Sequence, residues 1–137
     1  MREFGATLGR LLLGGETLEL IGDVGAGKTT FVKGLARGLG IDEDVQSPSF
    51  TISRVYEGRD EIVLAHYDFY RLGEAGILSE DLQEAMADHK TITVIEWADI
   101  VDGVLPADRI RLSFQTLSDD TRELTIEGNE RLLKELV

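Results

Sequence analysis

The segment Gly22-Asp23-Val24-Gly25-Ala26-Gly27-Lys28-Thr29 satisfies G-x-x-x-x-G-K-[ST] at every fixed position. The chemistry such a run supports is the grip of a nucleoside phosphate chain. Glycine tolerates dihedrals that other residues avoid, so successive N–H groups can turn inward on phosphate oxygens. A helix beginning at Lys28 adds its positive N-terminal end. Lys28 is expected to reach the β- and γ-phosphates, and the Thr29 hydroxyl to ligate Mg²⁺. The candidate nucleotide-binding residues are therefore Gly22, Asp23, Val24, Gly25, Ala26, Gly27, Lys28, Thr29 and Thr30. The expected cofactors are ATP or ADP with Mg²⁺.

A Mg²⁺–nucleotide site also needs a carboxylate near the metal. Two acids stand at the ends of apolar runs. Glu96 follows Ile92-Thr93-Val94-Ile95, and Asp68 lies within Leu64-Ala65-His66-Tyr67-Asp68-Phe69-Tyr70. On a strand, His66, Asp68 and Tyr70 project from one face. Lys28, Asp68 and Glu96 are the catalytic candidates, with Thr29 and Glu96 as metal ligands. Either acid could hold the metal through water or position the attacking water. A lone His such as His66 is more often a packed or hydrogen-bonded residue than a catalyst. Arg71 could meet phosphate, although a surface ion pair is the commoner fate of an arginine. Trp97, the single Trp, follows Glu96 directly. Ser47-Pro48-Ser49-Phe50 puts two hydroxyls in a loop of the kind that can sense a γ-phosphate, or that simply turns.

These groups need a scaffold. Phe4, Leu8, Leu11 and Leu12 share one helical face, and Gly14-Gly15 ends that helix. Leu18 to Ile21 reads as a strand feeding the glycine-rich loop. The helix from Lys28 buries Phe31, Leu35 and Leu39 before stopping at Gly38 and Gly40. Runs over 50–56 and 62–70 are joined through Gly58-Arg59-Asp60 and read as a hairpin. Ser79 suits an N-cap, with Glu80 and Asp81 in the first turn and Leu82, Ala85 and Met86 facing inward. Ile92 to Ile95 reads as a buried strand. Ile110, Leu112 and Phe114 alternate, as do Leu124 and Ile126, across a turn at Ser118-Asp119-Asp120. Asn129 caps a last helix bearing Leu132, Leu133 and Leu136. Strand-helix units mixed with hairpins predict an α/β, P-loop NTPase-like three-layer fold. Its mixed parallel/antiparallel sheet would be flanked by helices.

The 137 residues fit one domain over 1–137, and their 42% apolar content fills one core. No apolar run is long enough to cross a membrane. The chain has no cysteine, which excludes disulfides and thiolate metal sites and suits a cytoplasmic location. With 26 acidic and 14 basic residues the net charge is −12, a poor basis for gripping nucleic acid unaided. A small-molecule kinase would need a lid with several arginines, and Leu72 to Lys90 contains none. Guanine readout normally uses Asn-Lys-x-Asp, yet the single Asn, Asn129, is followed by Glu130, so ATP is expected rather than GTP. A nucleotide-dependent binding module with negligible hydrolysis of its own is the rival from a different class.

The ordered set GDVGAGKTTF, SPSF, HYDFYRL and IEWAD, followed by Leu105-Pro106, resembles the TsaE (YjeE) family from Leu18 to Pro106. Members of that family are bacterial P-loop ATPases required for forming N6-threonylcarbamoyladenosine at position 37 of tRNA. The resemblance implies that Lys28 and Thr29 bind phosphate and Mg²⁺, and that 47–50 is a switch-type loop. It further implies that Asp68 is the strand acid and Glu96 the metal-linked acid beside Trp97. The implied partners are the TsaB and TsaD proteins, with tRNA reached only through that complex and no membrane involved. ATP hydrolysis, weak in the isolated chain, would reset the complex between rounds. Two positions depart from the family pattern: Ser49 stands where Thr is usual, and Gly5 where relatives tend to carry Thr.

Overall fold

Alternating apolar side chains build the centre of the sheet. Leu18 and Leu20 point to one face of β1 (Thr17–Ile21), as do Leu64 of β3 (Val63–Asp68), Ile92 and Val94 of β4 (Thr91–Glu96), and Ile110, Leu112 and Phe114 of β5 (Ile110–Thr116). The computed structural model describes residues 2–22, 27–43, 45, 53–69, 78–98, 103–118 and 122–136. Two further strands, β2 (Ser53–Glu57) and β6 (Arg122–Glu127), complete a six-stranded sheet in the order β2-β3-β4-β1-β5-β6. The four inner strands run parallel, and both edges are antiparallel additions made by hairpins. The expected mixed sheet flanked by helices is the fold observed.

Three helices cover the leucine-rich face. They are α1 (Arg2–Leu11), α2 (Lys28–Gly38) and α4 (Glu130–Leu136), which contribute Leu8, Phe31, Leu35 and Leu132 to the larger core. The opposite face carries a smaller core in which α3 (Leu78–Ala87) places Leu82 on Ala65, Tyr67 and Ile95. Ala85 and Met86 pack at its margin, as their spacing predicts. One detail differs from expectation. The helix already includes Leu78, so Ser79 lies inside the first turn instead of before it. The second hairpin and the Asn129 cap are as expected: the Asn129 side-chain oxygen accepts the Leu132 N–H at 3.2 Å.

The contact between α1 and α2 depends on glycine. A Cβ on Gly34 would stand 2.0 Å from the Arg2 carbonyl oxygen, and one on Gly38 would stand 2.2 Å from that of Ala6. The relation is reciprocal: a Cβ on Gly5 would sit 2.3 Å from the Phe31 oxygen, and one on Gly9 would sit 2.5 Å from that of Leu35. Each helix therefore offers a small-xxx-small groove to the backbone of the other. This is the physical reason for glycine at position 5. It also locks α1 against the helix that starts at Lys28.

Candidate functional site

At the carboxyl ends of β1, β3 and β4 the chain delivers Gly22, Asp68 and Glu96 to one edge of the sheet, where ligands of parallel α/β sheets usually bind. Gly22 leaves β1 at φ +146°, and a Cβ there would stand 2.6 Å from the Phe114 oxygen. The loop closes at Gly27, which has φ +103° and precedes the first turn of α2. Among the described residues no side chain caps that end, and the first turn of α2 holds no acidic residue. The N–H groups and positive end of such a helix suit an anion.

Lys28 is the first residue of α2, and only 5% of it is exposed. Its Nζ donates to the Gly22 carbonyl at 2.5 Å and stands 3.9 Å from Glu96 Oε1. It also lies 4.5 Å from the centre of the Trp97 ring, within cation–π range. Trp97 reaches it through a left-handed backbone turn, φ +57°, directly after β4. Such a conformation is uncommon for a bulky residue, and it lays the indole back over the lysine. Thr29 and Thr30 are exposed at the same helix end.

The carboxylates meet through strand register. Asp68 and Glu96 are direct partners across β3 and β4, and the Phe69 N–H donates to the Glu96 carbonyl at 3.0 Å, extending the ladder past the acids. Both acids are buried. Glu96 Oε2 accepts a 2.6 Å hydrogen bond from His66 Nε2, and His66 is itself 1% exposed. Lys28, His66, Asp68, Glu96 and Trp97 thus gather at one point from three elements. Asp23 to Ala26, Ser47 to Phe50, Tyr70 and Arg71 lie outside the described residues.

Sequence reasoning missed several groups that hold this arrangement. Glu19, buried in β1, pairs with Arg109 at 2.7 Å and with Arg111 at 3.4 Å. Arg109 also donates to the Pro106 carbonyl, tying the chain beyond Trp97 to the central strand. Arg59 Nη2 donates to the carbonyls of Gly9, Arg10 and Leu12 at the end of α1. On the opposite face of β3, the Tyr67 hydroxyl donates to the Asp81 carboxylate at 2.6 Å, fastening α3 to the strand that carries His66 and Asp68. Burial, that hydrogen bond, and the charges of Asp81 and Glu84 push the Tyr67 phenol above its usual range. Apart from the short-range Arg109–Pro106 contact, these link residues distant in sequence whose proximity no local periodicity reveals.

Comparison with known proteins agrees with the family resemblance. The family model for the threonylcarbamoyl adenosine biosynthesis protein TsaE matches residues 1–124. The tRNA threonylcarbamoyladenosine biosynthesis protein TsaE of Treponema pallidum (strain Nichols) is 41% identical over 123 residues, covering 90% of this chain and 90% of that protein. The protein of the same name from Bacillus subtilis (strain 168) is 42% identical over 127 residues, covering 89% of this chain and 78% of that one. A crystal structure of Bacillus subtilus YdiB matches with a TM-score of 0.78 at 32% identity, covering 98% of this chain and 85% of that chain. On this family-model match and these relatives, the chain belongs to the TsaE family.

Proposed function

We propose that this chain is a Mg²⁺-dependent ATPase that supports threonylcarbamoyladenosine formation in tRNA by acting on the TsaB and TsaD proteins in the cytoplasm. The observation that carries the reading is the meeting of Lys28, at the N-terminus of α2, with Glu96 at the end of β4. The donor chemistry fits a metal-bound nucleotide. The helix end offers N–H groups and one buried ammonium to phosphate, and the exposed Thr29 hydroxyl and the Glu96 carboxylate are oxygen ligands suited to Mg²⁺. When bound, Mg²⁺ supplies charge neutralisation on the phosphate oxygens. Lys28 would move from the Gly22 carbonyl to phosphate, and Asp68 or Glu96 would orient a water for attack.

The same geometry supports weak turnover by the isolated chain. Lys28 is engaged by Gly22, Glu96 and Trp97, and Glu96 by His66, so productive binding must rearrange contacts the chain already makes. A partner that favours the rearranged state would raise turnover. Membership of the TsaE family supports the pathway assignment. Among the described residues no helix is long and apolar enough to cross a membrane. The test is ATP hydrolysis by the chain alone and with the TsaB and TsaD counterparts of its organism, with Lys28→Ala as control. Stimulated, Lys28-dependent release of phosphate is expected. Nucleotide binding without any response to those partners would remove the pathway assignment and leave the nucleotide site.

A further inference from the structure

The two oxygens of Glu96 have different neighbours. Oε1 faces Lys28 Nζ at 3.9 Å, whereas Oε2 is held by His66 Nε2 at 2.6 Å. A carboxylate only accepts, so Nε2 is the donor in this bond. The other ring nitrogen, Nδ1, is buried and has no hydrogen-bond partner among the described residues. Burying a polar atom unpaired costs free energy, and a packing residue such as Phe would avoid the cost. What the imidazole supplies in return is its single bond to Glu96. His66 stands beside Val94 in the β3–β4 register, two residues short of the pair Asp68 and Glu96, so it reaches along the sheet from beneath the carboxylate.

We propose that His66 is a positioning residue: by holding Oε2 it fixes the Glu96 carboxylate with Oε1 turned toward Lys28 and the metal-bearing side of the site. This rests on the Mg²⁺–nucleotide reading above. Groups that orient a metal-ligating carboxylate tune metal affinity without touching the metal, and their loss typically weakens it by about 10- to 100-fold. The role therefore separates metal dependence from phosphate binding, which belongs to Lys28 and the helix end.

The test uses the full chain and isothermal titration with ADP, in chelator and over a Mg²⁺ series, for wild type, His66→Phe and His66→Gln. Urea unfolding checks that each variant folds. The wild type is expected to bind ADP more tightly with Mg²⁺. H66F should need at least about tenfold more Mg²⁺ to reach that affinity, with binding in chelator unchanged. H66Q, whose side-chain amide N–H can donate to Oε2, should recover most of the loss. If H66F does not fold, His66→Asn takes its place, since its shorter amide cannot span to Glu96. Wild-type Mg²⁺ dependence in a folded H66F or H66N would overturn the proposal. So would equal losses with and without metal, or failure of H66Q to rescue. A wild type that binds no ADP under any condition would instead overturn the nucleotide reading, and this proposal with it.

Discussion

Asp68 and Glu96 stand directly opposite each other in register at the carboxyl ends of β3 and β4, both buried, with the Lys28 ammonium 3.9 Å from the nearer Glu96 oxygen. Two buried carboxylates side by side repel unless cations balance them. Lys28 is one such cation, and a bound Mg²⁺ would be the second. Glu96 contacts both Lys28 and His66, which suits the acid linked to the metal.

The contacts of Glu96 predict a division of labour. Glu96→Gln should raise the Mg²⁺ concentration needed for partner-stimulated hydrolysis. Asp68→Asn should lower the maximal rate by about 100-fold, the scale of losing a group that orients water or takes its proton, at unchanged Mg²⁺ dependence. Steady-state hydrolysis over a Mg²⁺ series reads both quantities. The reverse pattern would exchange the two roles.

Gly34→Ala and Gly38→Ala should each destabilise the chain by about 2–3 kcal/mol or more, because the new methyl meets backbone that cannot move away cheaply. The nearest atoms would be the Arg2 oxygen at 2.0 Å and the Ala6 oxygen at 2.2 Å. Alanine is otherwise the better helix former, so exposed-helix behaviour predicts the opposite sign. Urea denaturation midpoints distinguish the two.

Tyr67→Phe should cost about 1.5 kcal/mol at neutral pH through loss of the hydrogen bond to Asp81. The Tyr67 phenol is raised in the folded chain, first by burial and then by the Asp81 hydrogen bond. Its contribution is therefore present in full below the unfolded value of about 10 and is lost as pH rises beyond it. The stability difference between wild type and Tyr67→Phe should stay level up to about pH 10 and shrink above it. A difference that stays level at higher pH would contradict the assignment.

Local pattern carried much of this molecule into view from its sequence. The glycine-rich loop, the alternating strands and the Asn129 cap are short-range features, and Lys28, Asp68 and Glu96 could be named from them. The pairing of His66 with Glu96 could not. It spans 30 residues and exists because β3 and β4 lie parallel in one particular register. Glu19 and Arg109 are 90 positions apart and meet only after the central strand is threaded between β4 and β5. Gly5, Gly9, Gly34 and Gly38 look like helix weakeners until the two helices are packed together. Ser79 showed the usual limit at helix boundaries: a residue suited to capping lies inside the first turn of α3.

The central claim is that Lys28 and the acids at the strand ends form a Mg²⁺–nucleotide site. The fluorescence of Trp97, the single Trp of the chain and a neighbour of Lys28, reports on it directly. Titration of the wild type with ATP and Mg²⁺ should give a saturable change, and Lys28→Met should bind at least about 100-fold more weakly, as expected when one buried charged contact to phosphate is lost. Equal titration curves for the two, in folded protein, would contradict the account.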